Sequence, residues 1–549
     1  MSHAVDFLTQ LTSARRQSPA RRIALTALLT LLLSVGTVTF APPAFAAANE
    51  DWPTFLHDPQ RTAASGETIL STANAATLKL RWTYLTGGPL AASPTLAGGI
   101  VYVGSWDGYE YAIDAKAGTI KWKTFLGQTT TPNCNPTLIG ITSAATVLNN
   151  VVYVGGGDSN WYALDAGTGT VLWSVPTGDN SIAGGHYNWS SPLIANGSAY
   201  IGIASNCDNP LVQGELLRVD LTSHAVVATA KFVPDGQVGG GVWTSPALDT
   251  ATNTVYVTTG TQNLPSQTMP QGLVSLNATT LAINGSWQIP PADALNDADF
   301  GNSPILFTTA AGRALVAATN KNGYVYAFDR ANVSAGPVWR TRIAIGGECP
   351  TCGDGSVSSM AFAKGVLYAA GGNTIIGGAG YQGSVRALDP ATGNIIWEHG
   401  DTQPVVPALA YDNGLVIDGA GNILEVLDAS TGKRLYTYQA GGGIYSAPSV
   451  WNGKIYFGAL DSKVYSLTLP GTITLPPPDP QCPTSWTCED IGNPAAGTES
   501  YAGGTWTVTA AGAQGLHGTG DQFRLISQPA SGDMQVSAQI VSQQSDGAP

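Results

Sequence analysis

One pattern recurs between Ser93 and Leu469, and it restricts the fold more than any other feature of the chain. It opens on Ser-Pro or a close relative, at Ser93-Pro94, Ser191-Pro192, Ser245-Pro246, Ser303-Pro304 and Ala447-Pro448. A β-branched strand follows, as in Val101-Tyr102-Val103, Val152-Tyr153-Val154, Val255-Tyr256-Val257 and Ile455-Tyr456-Phe457. A second strand ends on an acid or its amide, at Asp114, Asp165, Asp220, Asn277, Asp329, Asp389 and Asp428. A glycine turn comes next, at Gly118, Gly169, Gly393 and Gly432, and then an aromatic strand carrying Trp122, Trp173, Trp287, Trp339, Trp397 or Tyr436.

Each part has a physical reason. Proline is tolerated at the first residue of a strand, where no ladder donor is required. The Asp accepts backbone N–H groups just ahead of it, and Gly provides the positive φ of the turn. Trp buries a large area and can fix one sheet on the next. Short strands of period two with turns between them give small antiparallel sheets. A period of roughly 40–60 residues suits one four-stranded propeller blade. Such a sheet cannot bury both faces alone, and radial stacking solves this. The expected fold is therefore all-β: an eight-bladed β-propeller of four-stranded antiparallel blades over residues 49–469. The last copy stops after its third strand. The segment Leu78-Lys79-Leu80-Arg81-Trp82-Thr83-Tyr84 has the fourth-strand pattern but precedes the first copy, so it is expected to complete the last blade.

Composition agrees with short strands and tight turns. Charged residues make up only 11% of the chain, while Gly numbers 66 and Trp 14, which is unlike a disordered protein. The net charge of −13 argues against a long basic track for nucleic acid. Residues 1–48 read as a secretory signal: Arg15, Arg16, Arg21 and Arg22, an apolar run from Ile23 to about Phe40, then Ala44-Phe45-Ala46. An uncleaved membrane anchor is the minority alternative. Export, to the cell surface, the periplasm or the medium, permits disulfides. Of six cysteines, Cys349 with Cys352 and Cys482 with Cys488 form close pairs, and Cys134 and Cys207 can pair only if the fold joins them. Gly353, not His, follows Cys352, so this is not a c-type haem attachment site. No second ligand pair at suitable spacing supports zinc there, and a local disulfide is the expectation.

Residues 470–481, with Pro476-Pro477-Pro478, read as an extended linker. Residues 482–549 are strand-like and Gly- and Thr-rich, too short for a full β-sandwich. Through Gly518-Thr519-Gly520-Asp521-Gln522-Phe523 and Pro529-Ala530-Ser531-Gly532-Asp533 this segment resembles the start of a concanavalin-like jelly roll, which implies adhesion to carbohydrate.

The strand–Asp–turn–Trp motif resembles the repeat of pyrroloquinoline quinone (PQQ) dehydrogenases, from about Trp52 to Leu469. Three segments exceed the generic repeat. Asn320-Lys321-Asn322-Gly323-Tyr324 is similar to a family strand whose basic residue meets the cofactor. The resemblance implies that Lys321, with Asn322 beside it, binds anionic PQQ; the alternative is an exposed turn lysine. Gly239-Gly240-Gly241-Val242-Trp243-Thr244-Ser245-Pro246 resembles the segment carrying the indole beneath PQQ, against the alternative of a blade-packing Trp. Asn296-Asp297-Ala298-Asp299-Phe300-Gly301 resembles the acidic segment of the catalytic base, which implies that Asp297 or Asp299 takes the substrate hydroxyl proton; the alternative is a loop capped by carboxylates.

The chain also departs from that pattern. The adjacent Cys–Cys pair is absent at Asn133-Cys134-Asn135. The calcium-binding Glu and Asn of the family are missing, and Asp208, Asn263 and Asp299 are the nearest substitutes, short of the six to eight oxygens calcium takes unless cofactor oxygens contribute. The resemblance implies a PQQ-dependent dehydrogenase oxidising an alcohol, a polyol or a polymer. The competing expectation is a non-catalytic propeller scaffold that binds glycan or protein outside the cell, since fold does not fix function.

Overall fold

The computed structural model describes residues 51–295 and 297–470, together with the backbone of the strands Thr487–Ile491, Thr498–Ala502, Thr505–Thr509 and Phe523–Ser527. The expected leader over 1–48, all but the first residue of the expected linker, and the side chains of Cys482 and Cys488 lie outside the described residues. In the C-terminal segment Thr487–Ile491 pairs antiparallel with Phe523–Ser527, and Thr498–Ala502 with Thr505–Thr509.

Eight sheets, each built on four antiparallel strands, follow one another as blades; His186–Tyr187 adds a short fifth strand to one and Ala64–Ser65 a parallel fifth to another. Blade 1 runs from Thr95–Ala97 to Ile120–Phe125, blade 2 from Thr146–Leu148 to Val171–Pro176, and blade 3 from Leu193–Ala195 to Ala225–Lys231. Blade 4 runs from Ala247–Asp249 to Ile283–Gln288, blade 5 from Ile305–Thr308 to Pro337–Arg342, and blade 6 from Ala361–Ala363 to Ile395–Asp401. Blade 7 runs from Ala410–Asp412 to Arg434–Gln439. Blade 8 takes Ser449–Trp451, Lys454–Ala459 and Lys463–Thr468 from the end of the repeat and Lys79–Leu85 from its beginning. Leu80 pairs with Leu467 and Tyr84 with Val464, so the early strand closes the ring as expected.

The Trp and the Gly of the repeat prove to be two halves of one joint. Trp122, in the outermost strand of blade 1, donates its indole N–H to Ala166 O in the turn of blade 2, at 2.8 Å. Trp339 donates to Pro390 O at 3.1 Å and Trp397 to Ala429 O at 3.0 Å, each in the following blade. Trp82 of blade 8 donates to Ala115 O of blade 1 at 3.1 Å, so the same joint seals the ring. The indole lies flat on the turn. A Cβ on Gly169 would stand 2.5 Å from the Trp122 ring, and one on Gly393 2.4 Å from the Trp339 ring. Both glycines also hold positive φ, so the turn requires Gly for conformation and for close approach. Blade 3 is a variant: His224 takes that turn position with φ 55°, and its ring stacks on Trp173 with centroids 4.3 Å apart.

The Ser of Ser-Pro has its own partner. Ser191 N–H donates to Ser245 Oγ at 2.9 Å, Ser245 N–H to Ser303 Oγ at 2.9 Å, and Ser303 N–H to Ser359 Oγ at 3.0 Å. Ala447 N–H donates to Ser93 Oγ at 2.9 Å across the closure. These buried bonds link neighbouring blades around the axis.

One segment was not legible in the repeat. Residues 52–63 cross the innermost strands, and their carbonyls accept N–H groups from Leu96, Val147, Leu248, Leu306, Phe362 and Tyr411. Arg61 is fully buried there, with Nε donating to Pro246 O at 2.8 Å and Nη1 to Phe55 O at 2.6 Å. Burial lowers its pKa to about 10, so it stays protonated. The segment therefore ties the first strands of six blades together and puts Phe55 in the wall of the cavity described below.

Trp122→Ala is expected to lower unfolding free energy by about 3–5 kcal/mol, read from denaturant unfolding, because it removes an indole and its bond to the next blade. An unchanged unfolding midpoint contradicts the joint.

Candidate functional site

The repeat is broken where blades 4 and 5 meet the axis. Trp243 stands two residues before the Ser-Pro of blade 4, outside the outermost-strand position that the packing Trp residues occupy. Its indole N–H donates to Asp299 Oδ2 at 3.3 Å. Two glycines let the ring in: a Cβ on Gly301 would stand 2.6 Å from its edge, and one on Gly260 3.1 Å from Nε1 and 3.0 Å from Asp299 Oδ2.

Lys321 sits in the turn between the second and third strands of blade 5, and its side chain is only 11% exposed, which excludes an exposed turn lysine. Its ammonium lies 2.6 Å from Asp297 Oδ2, 3.5 Å from Asp299 Oδ2 and 5.8 Å from the centroid of the Trp243 ring. The backbone fixes this turn: Lys321 N–H donates to Asp299 O at 3.0 Å, and Asn320 Nδ2 to Ala298 O at 2.7 Å. The loop tied by the Cys349–Cys352 disulfide packs on its other side, where Gly347 N–H donates to Lys321 O at 3.1 Å. That local disulfide, expected from the sequence, thus steadies the lysine.

The two acids of this loop differ. The Asp299 side chain is 6% exposed against 36% for Asp297. Asp299 Oδ1 is buried and has no hydrogen-bond partner among the described residues. Burial raises the Asp299 pKa to about 7, with Lys321 pulling it down and Asp297 and Asp208 pushing it further up. Lys321 is held above its ordinary value because the charges of Asp299 and Asp297 outweigh its desolvation.

The other expected residues divide. The charge of Asp208 reaches Asp299, but its own oxygens accept from Ser205 Oγ and Thr261 Oγ1, both at 2.5 Å. Asn263 is exposed, with its backbone N–H on Gln267 Oε1 at 3.0 Å. Asn322 spends its amide on Tyr326 Oη at 2.8 Å and Asp293 O at 3.2 Å, and accepts from Tyr324 N–H at 3.2 Å. The structure therefore gathers Trp243, Asp297, Asp299 and Lys321, leaves Asp208 at the margin, and gives Asn322 and Asn263 other surroundings.

An axial cavity of about 400 Å³ adjoins this group and shares Trp243 with it. Its wall includes Trp106, Trp189, Tyr445 and the Cys134–Cys207 pair. Those cysteines form a disulfide between the loop before blade 2 and the loop joining the second and third strands of blade 3, with Cα atoms 6.0 Å apart, which settles a pairing the sequence left open. Trp189 escaped notice in the sequence, although it precedes Ser191-Pro192 by the same offset at which Trp243 precedes Ser245-Pro246.

Comparison with known proteins follows this geometry. The quinoprotein ethanol dehydrogenase of Pseudomonas putida is 25% identical over 482 residues, covering 66% of this chain and 77% of the relative. A polyvinylalcohol dehydrogenase of Pseudomonas sp is 25% identical over 323 residues, covering 51% of this chain and 49% of the relative, so the match spans about half of that protein. The crystal structure of quinohemoprotein alcohol dehydrogenase from Comamonas testosteroni superposes with a TM-score of 0.62 at 20% identity, covering 79% of this chain and 82% of that one, which shows the shared fold. The PQQ_2 family model, described as outer membrane protein assembly factor BamB, matches residues 54–233, 321–470 and 381–502, together more than half of the chain. By these matches and by its repeat, the chain belongs to the PQQ_2 family of PQQ-binding-like β-propellers.

Proposed function

We propose that this protein is a PQQ-dependent dehydrogenase that oxidises an alcohol group, on a small alcohol, a polyol or a polymer, outside the cytoplasm. The carrying observation is the group of Trp243, Lys321 and Asp299 at the break in the repeat. A flat indole suits stacking on a flat quinone. A buried ammonium suits an anionic quinone bearing carboxylates. The cavity volume lies within the range of small-molecule sites. Two disulfides among the described residues agree with an oxidising compartment.

When bound, PQQ supplies the two-electron acceptor for hydride from the alcohol carbon. The chain's part is to orient and to move the proton. Asp299 is the better base, because Oδ1 is buried and unpartnered while Asp297 is pinned by Lys321 at 2.6 Å. With its pKa about 7, Asp299 is poised to accept the hydroxyl proton near neutrality. Trp243 Nε1 holds the other oxygen, Oδ2, and so aims Oδ1. The residues do not complete a calcium cage: Asp208 is engaged by two hydroxyls and Asn263 is exposed, well short of six to eight oxygens. Lys321 is the cation that faces Asp299 instead.

The rival reading is a non-catalytic propeller that binds protein or glycan. The outlying positions of Asn322 and Asn263 favour it, as does the description of the family model as an assembly factor.

With PQQ added, the purified protein is expected to reduce an artificial electron acceptor in the presence of an alcohol, and Trp243→Ala to weaken PQQ binding at least about tenfold, the factor that loss of about 1.4 kcal/mol gives. Absence of both binding and reduction favours the scaffold. Activity should rise with pH along a limb near 7 as Asp299 loses its proton, and Asp299→Asn should abolish it while Asp297→Asn retains most of it. The sign for stability is opposite. Asp299 has a folded pKa of about 7 against an ordinary value of 3.8, so the fold holds a proton that the unfolded chain has released, and this contribution to stability is lost as pH rises between those two values. A pH profile that Asp299→Asn leaves unchanged assigns the base elsewhere.

A further inference from the structure

A second polar cluster lies at the seam of blades 6 and 7, away from the axial group. His399 and Asp401 alternate on one face of the outermost strand of blade 6, two residues apart. Glu425 faces them from the third strand of blade 7. His399 Nε2 is 3.2 Å from Asp401 Oδ1 and 3.2 Å from Glu425 Oε2. The three donor atoms lie within 4.8 Å of one another. Four ligands at about 2.0–2.1 Å from a tetrahedral zinc ion stand about 3.3 Å apart, so these two spacings are those of a ligand set.

An independent observation points the same way. Asp418 pairs in register with Glu425 on the adjacent strand of blade 7. It is fully buried, and neither carboxylate oxygen has a hydrogen-bond partner among the described residues. It feels the charges of Asp401 and Glu425. Three carboxylates, none more than 4% exposed, thus converge. The basic groups facing them are Arg434 and His399, which ligates a metal only as the neutral imidazole. Arg434 grips Glu425 with two nitrogens, 2.9 Å from Oε1 and 3.0 Å from Oε2, and lies 3.6 Å from Asp401 Oδ1, with its side chain 43% exposed. Such a concentration of buried negative charge is costly unless a cation completes it.

We propose that His399, Asp401 and Glu425 form a binding site for a divalent transition cation of the zinc class, with Asp418 as the third carboxylate beside it and Arg434 displaced to solvent. The imidazole ligand separates this site from an all-oxygen calcium or magnesium cage. A metal here cross-links the outer strand of blade 6 to the body of blade 7. Among the described residues no strand ladder joins these two blades, so a metal would add a tie beside the Trp397–Ala429 hydrogen bond.

Tag-free protein, stripped with a chelator and titrated with zinc chloride alone at neutral pH, is expected to bind one equivalent and to melt at a higher temperature. His399→Ala and Glu425→Gln should each weaken that binding at least tenfold. Asp299→Asn should leave it unchanged, which separates this site from the axial one. Should either seam variant fail to fold, cobalt(II) added to the wild-type protein decides: intense visible bands of a four-coordinate ion support the site, and the weak spectrum of the hydrated ion overturns it. Less than one equivalent of zinc in the wild type, or full retention in His399→Ala, also overturns it.

Discussion

The docking of one blade's tryptophan on the next blade's glycine turn is the contact on which the molecule depends. It joins the two most regular marks of the sequence into one joint: the indole covers the turn, its N–H takes a turn carbonyl, and the glycine leaves room. A propeller blade has no partner for its faces except its neighbours, so stability accrues from such nearest-neighbour interfaces. Closure by Lys79–Leu85 lets Trp82 make the same joint between the last blade and the first. The serine bonds near the axis form a second, inner tie.

A ring held at its periphery leaves the axis free for other chemistry. The N-terminal segment ties the first strands of six blades together and buries Arg61 there. Elsewhere, residues that depart from the repeat gather: Trp243 ahead of its strand, Asp297 and Asp299 ahead of blade 5, and Lys321 in a turn. The protein spends two disulfides near this region. One steadies the lysine loop and the other spans the wall of the cavity beside Trp243. Rigid strands, tied loops and one buried carboxylate of raised pKa are the arrangement a proton-accepting site requires.

The fold was legible because its signals are local. Asp114 accepts the N–H groups of Lys116 and Ala117, as the turn pattern implies. The packing role of Trp was also visible, though not that its seat is the glycine of the next blade. The tie over residues 52–63 left no mark, since its bonds are made by backbone carbonyls to strands far along the chain. In the site, Trp243 and Lys321 stood out as breaks in the pattern, and they meet. Asn322 stands beside Lys321 in the chain, yet consecutive residues in a turn point apart, and its amide serves Tyr326. Asn263 was chosen by position in the repeat, and its loop takes it to the surface. The seam cluster of His399, Asp401, Glu425 and Asp418 escaped notice because only the stacking of two blades brings it together.

The central claim is that breaks in the repeat build a quinone site around one indole. Its most direct test is an experimental structure of the protein soaked with PQQ. The account predicts the quinone stacked on the Trp243 ring, with Lys321 Nζ in hydrogen-bond reach of a quinone or carboxylate oxygen and Asp299 Oδ1 open to the substrate side. A quinone bound away from Trp243, or an unchanged axial site at saturating PQQ, would contradict it.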